Sequence, residues 1–258
     1  HEAVSGNFNA AFAISVGLNF AFKIIEAIYA FFAGSVSLLA DAGHNLGDVL
    51  GLALAWGAAL LVKKGASDKY SYGFKKTTIL AAVINALILV ATSAIIAYES
   101  VFKLFYPQAV QEKIIIIVAL IGIFINGSTA LLFMRGRQSD LNIKGAFLHL
   151  AYDALISLGV VIGGIVIYWT GWLRLDPIIG LIIVAAILSG TWGLLRDSIN
   201  LILDAVPHGL KLQQIEAALQ QIEGVSEVHD LHVWGLSTNE IALTAHLIMP
   251  DKTLYDAD

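Results

Sequence analysis

A chain of 258 residues that is 58% hydrophobic and only 14% charged is too apolar for a water-soluble globular protein, in which about a quarter of the residues carry charge. Its formal net charge of -5, spread without a basic block or an aromatic-basic stripe, excludes nucleic acid as a partner. With no cysteine, disulfides and thiolate ligands are ruled out, and any metal chemistry must come from histidine and carboxylate.

Six apolar runs are each long enough to cross a hydrocarbon core about 30 Å thick, which takes about 20 helical residues. They extend from Asn9 to Phe32, Ser37 to Val62, Thr77 to Phe102, Ile114 to Met134, Ile143 to Trp169 and Pro177 to Ile199. The connection after the second run carries Lys63, Lys64, Lys69, Lys75 and Lys76, and that after the fourth carries Arg135, Arg137 and Lys144. The remaining connections are poorer: Gly34-Ser35 has no positive charge, the third has Lys103 and Lys113, and the fifth has Arg174. By the positive-inside bias the Lys/Arg-rich loops are cytoplasmic, so both termini face the cytoplasm. The short loops favour a bacterial inner membrane.

After Asp204-Ala205-Val206-Pro207 the composition becomes that of a soluble domain. Leu212, Ile215, Leu219 and Ile222 share one helical face, with Gly224 placed to end the helix. Val225 to Trp234 and Glu240 to Met249 read as two strands around a polar turn at Ser237-Thr238-Asn239. The expected fold is an α-helical membrane protein: six transmembrane helices over residues 1–206, then a small cytoplasmic α+β domain over 207–258. The chain opens at His1-Glu2 without an initiator Met or signal-peptide layout and stops at Asp258 just past a strand, so both ends read as incomplete and the soluble domain as truncated.

Chemistry concentrates in a pattern that occurs twice, His44-x-x-x-Asp48 in the second run and His149-x-x-x-Asp153 in the fifth. Four residues is close to one helical turn, so each pair projects from one helix face. The second and fifth runs are the middle helices of two three-helix halves of opposite orientation. At 1.5 Å per residue each pair lies roughly 10–20 Å from its own starting surface, so the two overlap near mid-depth. Ionisable residues in lipid cost several kcal/mol each and tend to carry function. An i,i+4 hydrogen bond within each pair is the plainer reading, but it does not explain why the pair recurs at matching depth.

Two nitrogens and two oxygens on arms that can be set tetrahedrally suit Zn²⁺ better than Mg²⁺ or Ca²⁺, although Co²⁺, Fe²⁺, Ni²⁺ and Mn²⁺ share such ligands. Two carboxylates also neutralise a divalent cation, so the loaded site carries no net charge. Protons compete with the metal for the imidazole lone pairs, which is the physical basis of metal–proton exchange. Small residues beside the pairs, Gly43, Gly47 and Gly51 and then Gly145 and Ser157, allow close helix approach. Asp41, three residues before His44, is either an acceptor for a ligand histidine or a proton relay, or else an interfacial carboxylate. For Asn19, Asn85 and Asn126 the expectation is interhelical hydrogen bonding, and for Lys23 and Glu26 mutual pairing.

Taken together, Gly34-Ser-Val-Ser-Leu-Leu-Ala-Asp-Ala-Gly-His44-Asn-Leu-Gly-Asp48, Tyr72-Gly73-Phe74-Lys75-Lys76, His149-x-x-x-Asp153 and Val228-His-Asp-Leu-His-Val-Trp234 resemble the cation diffusion facilitator family, the metal exporters of the zinc-transporter and cobalt-zinc-cadmium-resistance branches. The resemblance covers nearly the whole chain. It implies a homodimeric, six-helix divalent-metal/proton antiporter whose cytoplasmic domain is ferredoxin-like, binds further metal and links the protomers. It implies transport-site ligands at His44, Asp48, His149 and Asp153, with histidine at the first position pointing to zinc. Cytoplasmic-domain ligands map onto His229 and His246, while His232 fits ligation or packing. The chain departs from some relatives between the second and third runs, where only Asp68 stands in place of an Asp and His cluster, so no tight site is expected there. His208 reads as an ordinary surface histidine. An intramembrane metalloprotease would pair two histidines with a water-activating Glu; this chain has no His-Glu-x-x-His, so no enzyme is expected. A metal sensor would explain His229 and His246 but not the intramembrane pairs.

Overall fold

Backbone surrounded by lipid has to satisfy its N–H and C=O groups within each segment, and long helices do so. The computed structural model describes residue 17, residues 20–134 and residues 141–250. Helix α1 takes in residues 20–33, followed by α2 (Val36–Val62), α3 (Thr77–Phe105), α4 (Glu112–Phe133), α5 (Leu141–Thr170) and α6 (Leu175–Ile202). Among the described residues, five helices, α2 to α6, are long and apolar enough to span a membrane. The first predicted run is seen as helix over 20–33, and its earlier part from Asn9, with Asn19, lies outside the described residues, as do Arg135, Arg137 and both chain ends.

The chain divides into two compact units. One joins the chain up to Leu50 with Ile88–Thr191, and the other joins Gly51–Leu87 with the chain from Trp192 onward.

In the first unit a buried cluster runs through Phe22, Ala30, Leu38, Ile96, Ile115, Val118, Val160 and Ile183, while Phe31, Ile95, Phe124 and Leu155 are strongly exposed. Buried polar groups such as Glu26, Asp41, Asn126 and Asp153 sit inside. Apolar outside and polar inside is the arrangement lipid favours. Small residues set the helix spacing: a Cβ on Gly163 would lie 2.2 Å from Ile179 Cδ1, and one on Gly164 2.9 Å from Ile116 Cγ1. The glycines of α2 serve α3, because a Cβ on Gly47 would lie 2.3 Å from Leu89 Cδ2 and one on Gly43 3.2 Å from Ile96 Cδ1. Gly145 has nothing within 4 Å of such an atom. The stripe beside the His-Asp pair thus seats a neighbouring helix rather than bringing α2 onto α5.

The start of α2 is capped twice. Ser35 Oγ accepts from Leu38 N at 3.2 Å, and Asp176 of α6, 1% exposed, accepts from Val36 N at 2.8 Å, from Ser37 N at 3.3 Å and from the hydroxyls of Ser35 and Ser37. A carboxylate belongs at a helix N-terminus, where unpaired N–H groups and the helix dipole both favour it.

In the second unit, α7 (Leu212–Gln220) packs on an antiparallel hairpin of β1 (Glu227–Gly235) and β2 (Ile241–Ile248). The helix ends four residues before Gly224, which at φ 89° forms the turn into β1 instead of capping the helix. Ser237 Oγ accepts from Asn239 N and Glu240 N, closing the hairpin where a polar turn is expected. That turn meets the start of α3: Thr238 N donates to Thr78 Oγ1 at 3.2 Å and Lys75 pairs with Glu240. In the α2–α3 connection Gly73 has φ 66°, and a Cβ there would lie 2.5 Å from Gly65 O, so only glycine fits.

Candidate metal site

Helices α2 and α5 bring the two His-Asp pairs together inside the first unit. Asp48 Oδ2 lies 3.6 Å from His44 Nε2 and 3.4 Å from His149 Nε2. Asp153 Oδ2 is 3.7 Å from His149 Nε2. The two imidazole rings stand 6.2 Å apart and nearly perpendicular, at 76°. Ligand atoms of His44, Asp48 and His149 lie within 4.8 Å of one another, and Asp153 joins this trio through His149.

Exposure grades across the group. The His149 side chain is 46% exposed, Asp48 32%, His44 16% and Asp153 2%, so the pairs have an open side at His149 and a closed one at Asp153. Asp48 Oδ2, Asp153 Oδ1 and His44 Nδ1 are buried without a hydrogen-bond partner among the described residues. Buried donors and acceptors normally find partners. Of these, Asp48 Oδ2 is the one that also faces both histidine Nε2 atoms, and an orphaned carboxylate oxygen between two imidazoles is what a cation would satisfy.

Asp41 is fully buried, and its carboxylate accepts from Asn45 Nδ2 at 2.9 Å and from Ser157 Oγ at 2.8 Å. It does not accept from His44, whose Nδ1 is unpartnered. One oxygen is taken within α2 by Asn45 and the other by Ser157 of α5, so the Ser157 bond makes Asp41 a cross-helix brace in place of an interfacial carboxylate or an acceptor for His44. Ser157 belonged to the predicted stripe of α5, one turn beyond Asp153; its donor role needed the packed helices to become visible. Asn126 is buried with both amide atoms unpartnered among the described residues, and Asn85 Oδ1 likewise, so the expected interhelical hydrogen bonds are not seen. Lys23 and Glu26 pair at 3.9 Å, as i,i+3 neighbours should, but Lys23 Nζ is equally 3.9 Å from Asp153 Oδ2. Sequence spacing on α1 alone could not foresee that second contact.

In the hairpin His229 and His246 are directly opposed, their rings 5.3 Å apart. The pairing breaks register between His229 and His232, with Asp230 at φ 57°. This bulge turns Asp230 toward the histidines: Oδ1 is 2.9 Å from His232 Nε2 and Oδ2 3.6 Å from His246 Nδ1. Strict strand alternation would set Asp230 on the face opposite His229, which is why sequence reasoning passed over it. His208 Nε2 lies 3.0 Å from Asp197 Oδ1 at the surface.

Comparison with known proteins matches residues 12–203 to the cation efflux transmembrane domain and residues 207–258 to the cation efflux protein cytoplasmic domain. The chain belongs to the cation efflux family. Members of this family are transporters, not enzymes. Similar proteins include the cation efflux system protein CzcD of Alcaligenes sp. (strain CT14), 35% identical over 96% of this chain and 78% of its own length. The cadmium, cobalt and zinc/H(+)-K(+) antiporter of Bacillus velezensis (strain DSM 23117 / BGSC 10A6 / LMG 26770 / FZB42) is 32% identical over 98% of this chain and 81% of its own. The zinc transporter ZitB of Escherichia coli (strain K12) is 31% identical over 96% and 78%.

Proposed function

We propose that this cation efflux protein is a divalent-metal/proton antiporter, with Zn²⁺ its preferred cargo, that exports the ion from the cytoplasm by alternating access around His44, Asp48, His149 and Asp153. The observation that carries the reading is the convergence of His44, Asp48 and His149 ligand atoms, with Asp153 beside His149, in helices apolar enough to span a membrane. Nitrogen and carboxylate donors in this ratio favour Zn²⁺ over the harder cations. The names of the Escherichia coli zinc transporter and of the Bacillus antiporter support the same cargo and exchange. Protons and metal compete for the imidazoles, so cytoplasmic Zn²⁺ displaces protons on loading and external protons displace Zn²⁺ on release. Asp41 positions α2 and α5 around the site.

The proposed architecture has six spans, α1 being the first, both termini cytoplasmic, and a ferredoxin-like soluble domain through which two copies pair. His229 and His246 are its proposed metal ligands. A bacterial inner membrane is the proposed location.

Flux into liposomes tests the reading. Protein reconstituted with a zinc-sensitive dye inside the vesicles should take up Zn²⁺ when an outward-directed proton gradient is imposed. His44→Ala and Asp153→Ala should abolish that uptake while the protein still folds; normal uptake in either variant would refute the quartet.

A further inference from the structure

Lys23 of α1 is 5% exposed, and its Nζ has no hydrogen-bond partner among the described residues. It stands 3.9 Å from Glu26 Oε2 and 3.9 Å from Asp153 Oδ2. Both distances are within ion-pair range but too long for a hydrogen bond, so the ammonium is held between two carboxylates and committed to neither. Glu26 is fully buried with both oxygens unpartnered. The Asp153 oxygen that Lys23 approaches is the same Oδ2 that faces His149 Nε2 at 3.7 Å. A cation seated among the histidines and Lys23 would therefore compete for one oxygen atom.

We propose that Lys23 is a tethered counter-cation of the metal site, resting on Asp153 when cargo is absent and passing to Glu26 when a divalent ion takes the Asp153 carboxylate. This rests on the quartet as the cargo site. An unpaired buried carboxylate is costly in lipid, and the ammonium relieves that cost while the empty carrier reorients. Glu26 plays the complementary part, giving Lys23 a partner when Asp153 is occupied. A positive charge so close also weakens retention of the ion and so favours release. A monovalent cation gains little by displacing an ammonium already present, so the arrangement favours divalent cargo. Lys23 is a positioning residue, since it acts through Asp153.

The test uses the purified full chain, with Zn²⁺ affinity measured against a competing chromophoric chelator and flux measured in liposomes. Lys23→Met should bind Zn²⁺ about tenfold tighter and show severalfold lower maximal flux. Lys23→Arg, which keeps the charge, should recover most of that flux. Glu26→Gln leaves Lys23 only Asp153 to pair with and should weaken Zn²⁺ binding about tenfold. Affinity shifts of opposite sign are the signature, because a merely structural ion pair would lower stability and binding in both variants together. Shifts in the same direction, or wild-type affinity in Lys23→Met, overturn the proposal. Should Lys23→Met fail to fold, wild-type affinity in Glu26→Gln overturns it. Equal Zn²⁺ affinity in wild type and His149→Ala overturns the quartet and this proposal with it; a quartet that behaves as expected beside an unmoved Lys23→Met overturns this proposal alone.

Discussion

At the proposed site His44 would contribute an imidazole nitrogen where an aspartate would contribute a harder oxygen, and the two choices order metals differently. His44→Asp should therefore lose zinc preference relative to Mn²⁺ and Fe²⁺, read as a change in the ranking of competing metals in the flux assay; an unchanged ranking would remove His44 from the ligand set. Side-chain chemistry of this kind is legible in the sequence, because the His-x-x-x-Asp spacing follows from 3.6 residues per turn and the burial cost of charge in lipid. What the spacing could not show is how the carboxylates divide their contacts. Asp41 is spent on Asn45 and Ser157, while Asp153 is approached by Lys23 from a different helix. Asp230 escaped notice for the same reason, since a strand bulge changes which face a residue occupies.

Two element-level devices hold the helix ends and the connection between helices. Asp176→Ala would leave Val36 N and Ser37 N and two serine hydroxyls without their acceptor in a buried setting. Each buried group left unsatisfied costs about 1–3 kcal/mol, partly recovered by relaxation, so the variant should lose about 3 kcal/mol and unfold at lower temperature in detergent. Glycines divide into those that must be glycine and those that need not be. Gly73 has φ 66° and backbone in the way of a Cβ, whereas a Cβ on Gly127 of α4 would have nothing within 4 Å. Gly73→Ala should cost at least about 1–2 kcal/mol, and Gly127→Ala should be neutral or stabilising by up to about 1 kcal/mol. Thermal unfolding of the two variants side by side checks the contrast. Composition announced both glycines alike; only backbone angle and neighbour distance separate them. Helix existence was more legible than helix ends: α2 to α6 begin and end within a few residues of the apolar runs, but α7 stops at Gln220 because the chain must turn at Gly224 to enter β1.

At the scale of the whole molecule, a site that binds metal only when folded links cargo to stability. Saturating Zn²⁺ at about a hundred times the Kd of the quartet should stabilise the protein by about 2.7 kcal/mol through that site, seen as a rise in the unfolding temperature that His149→Ala reduces. Because imidazole protonation and metal binding exclude one another, that rise should shrink as the pH is lowered. No shift in the wild type would count against a site in the folded protein.

The sequence by itself determined the solvent of this chain, the number of apolar runs and the residue types of the proposed cargo site, because hydrophobic length and helical period are local properties. It also carried the family resemblance, since the motifs are contiguous strings. Only the tertiary structure decided that the orphaned Asp48 Oδ2 faces both histidines, that the α2 glycines seat α3, that Asp41 braces two helices and that Lys23 stands midway between Glu26 and Asp153. These are distances between residues far apart in the chain, and no periodicity encodes them: they arise when packed helices fix which of several possible partners a buried charge can reach.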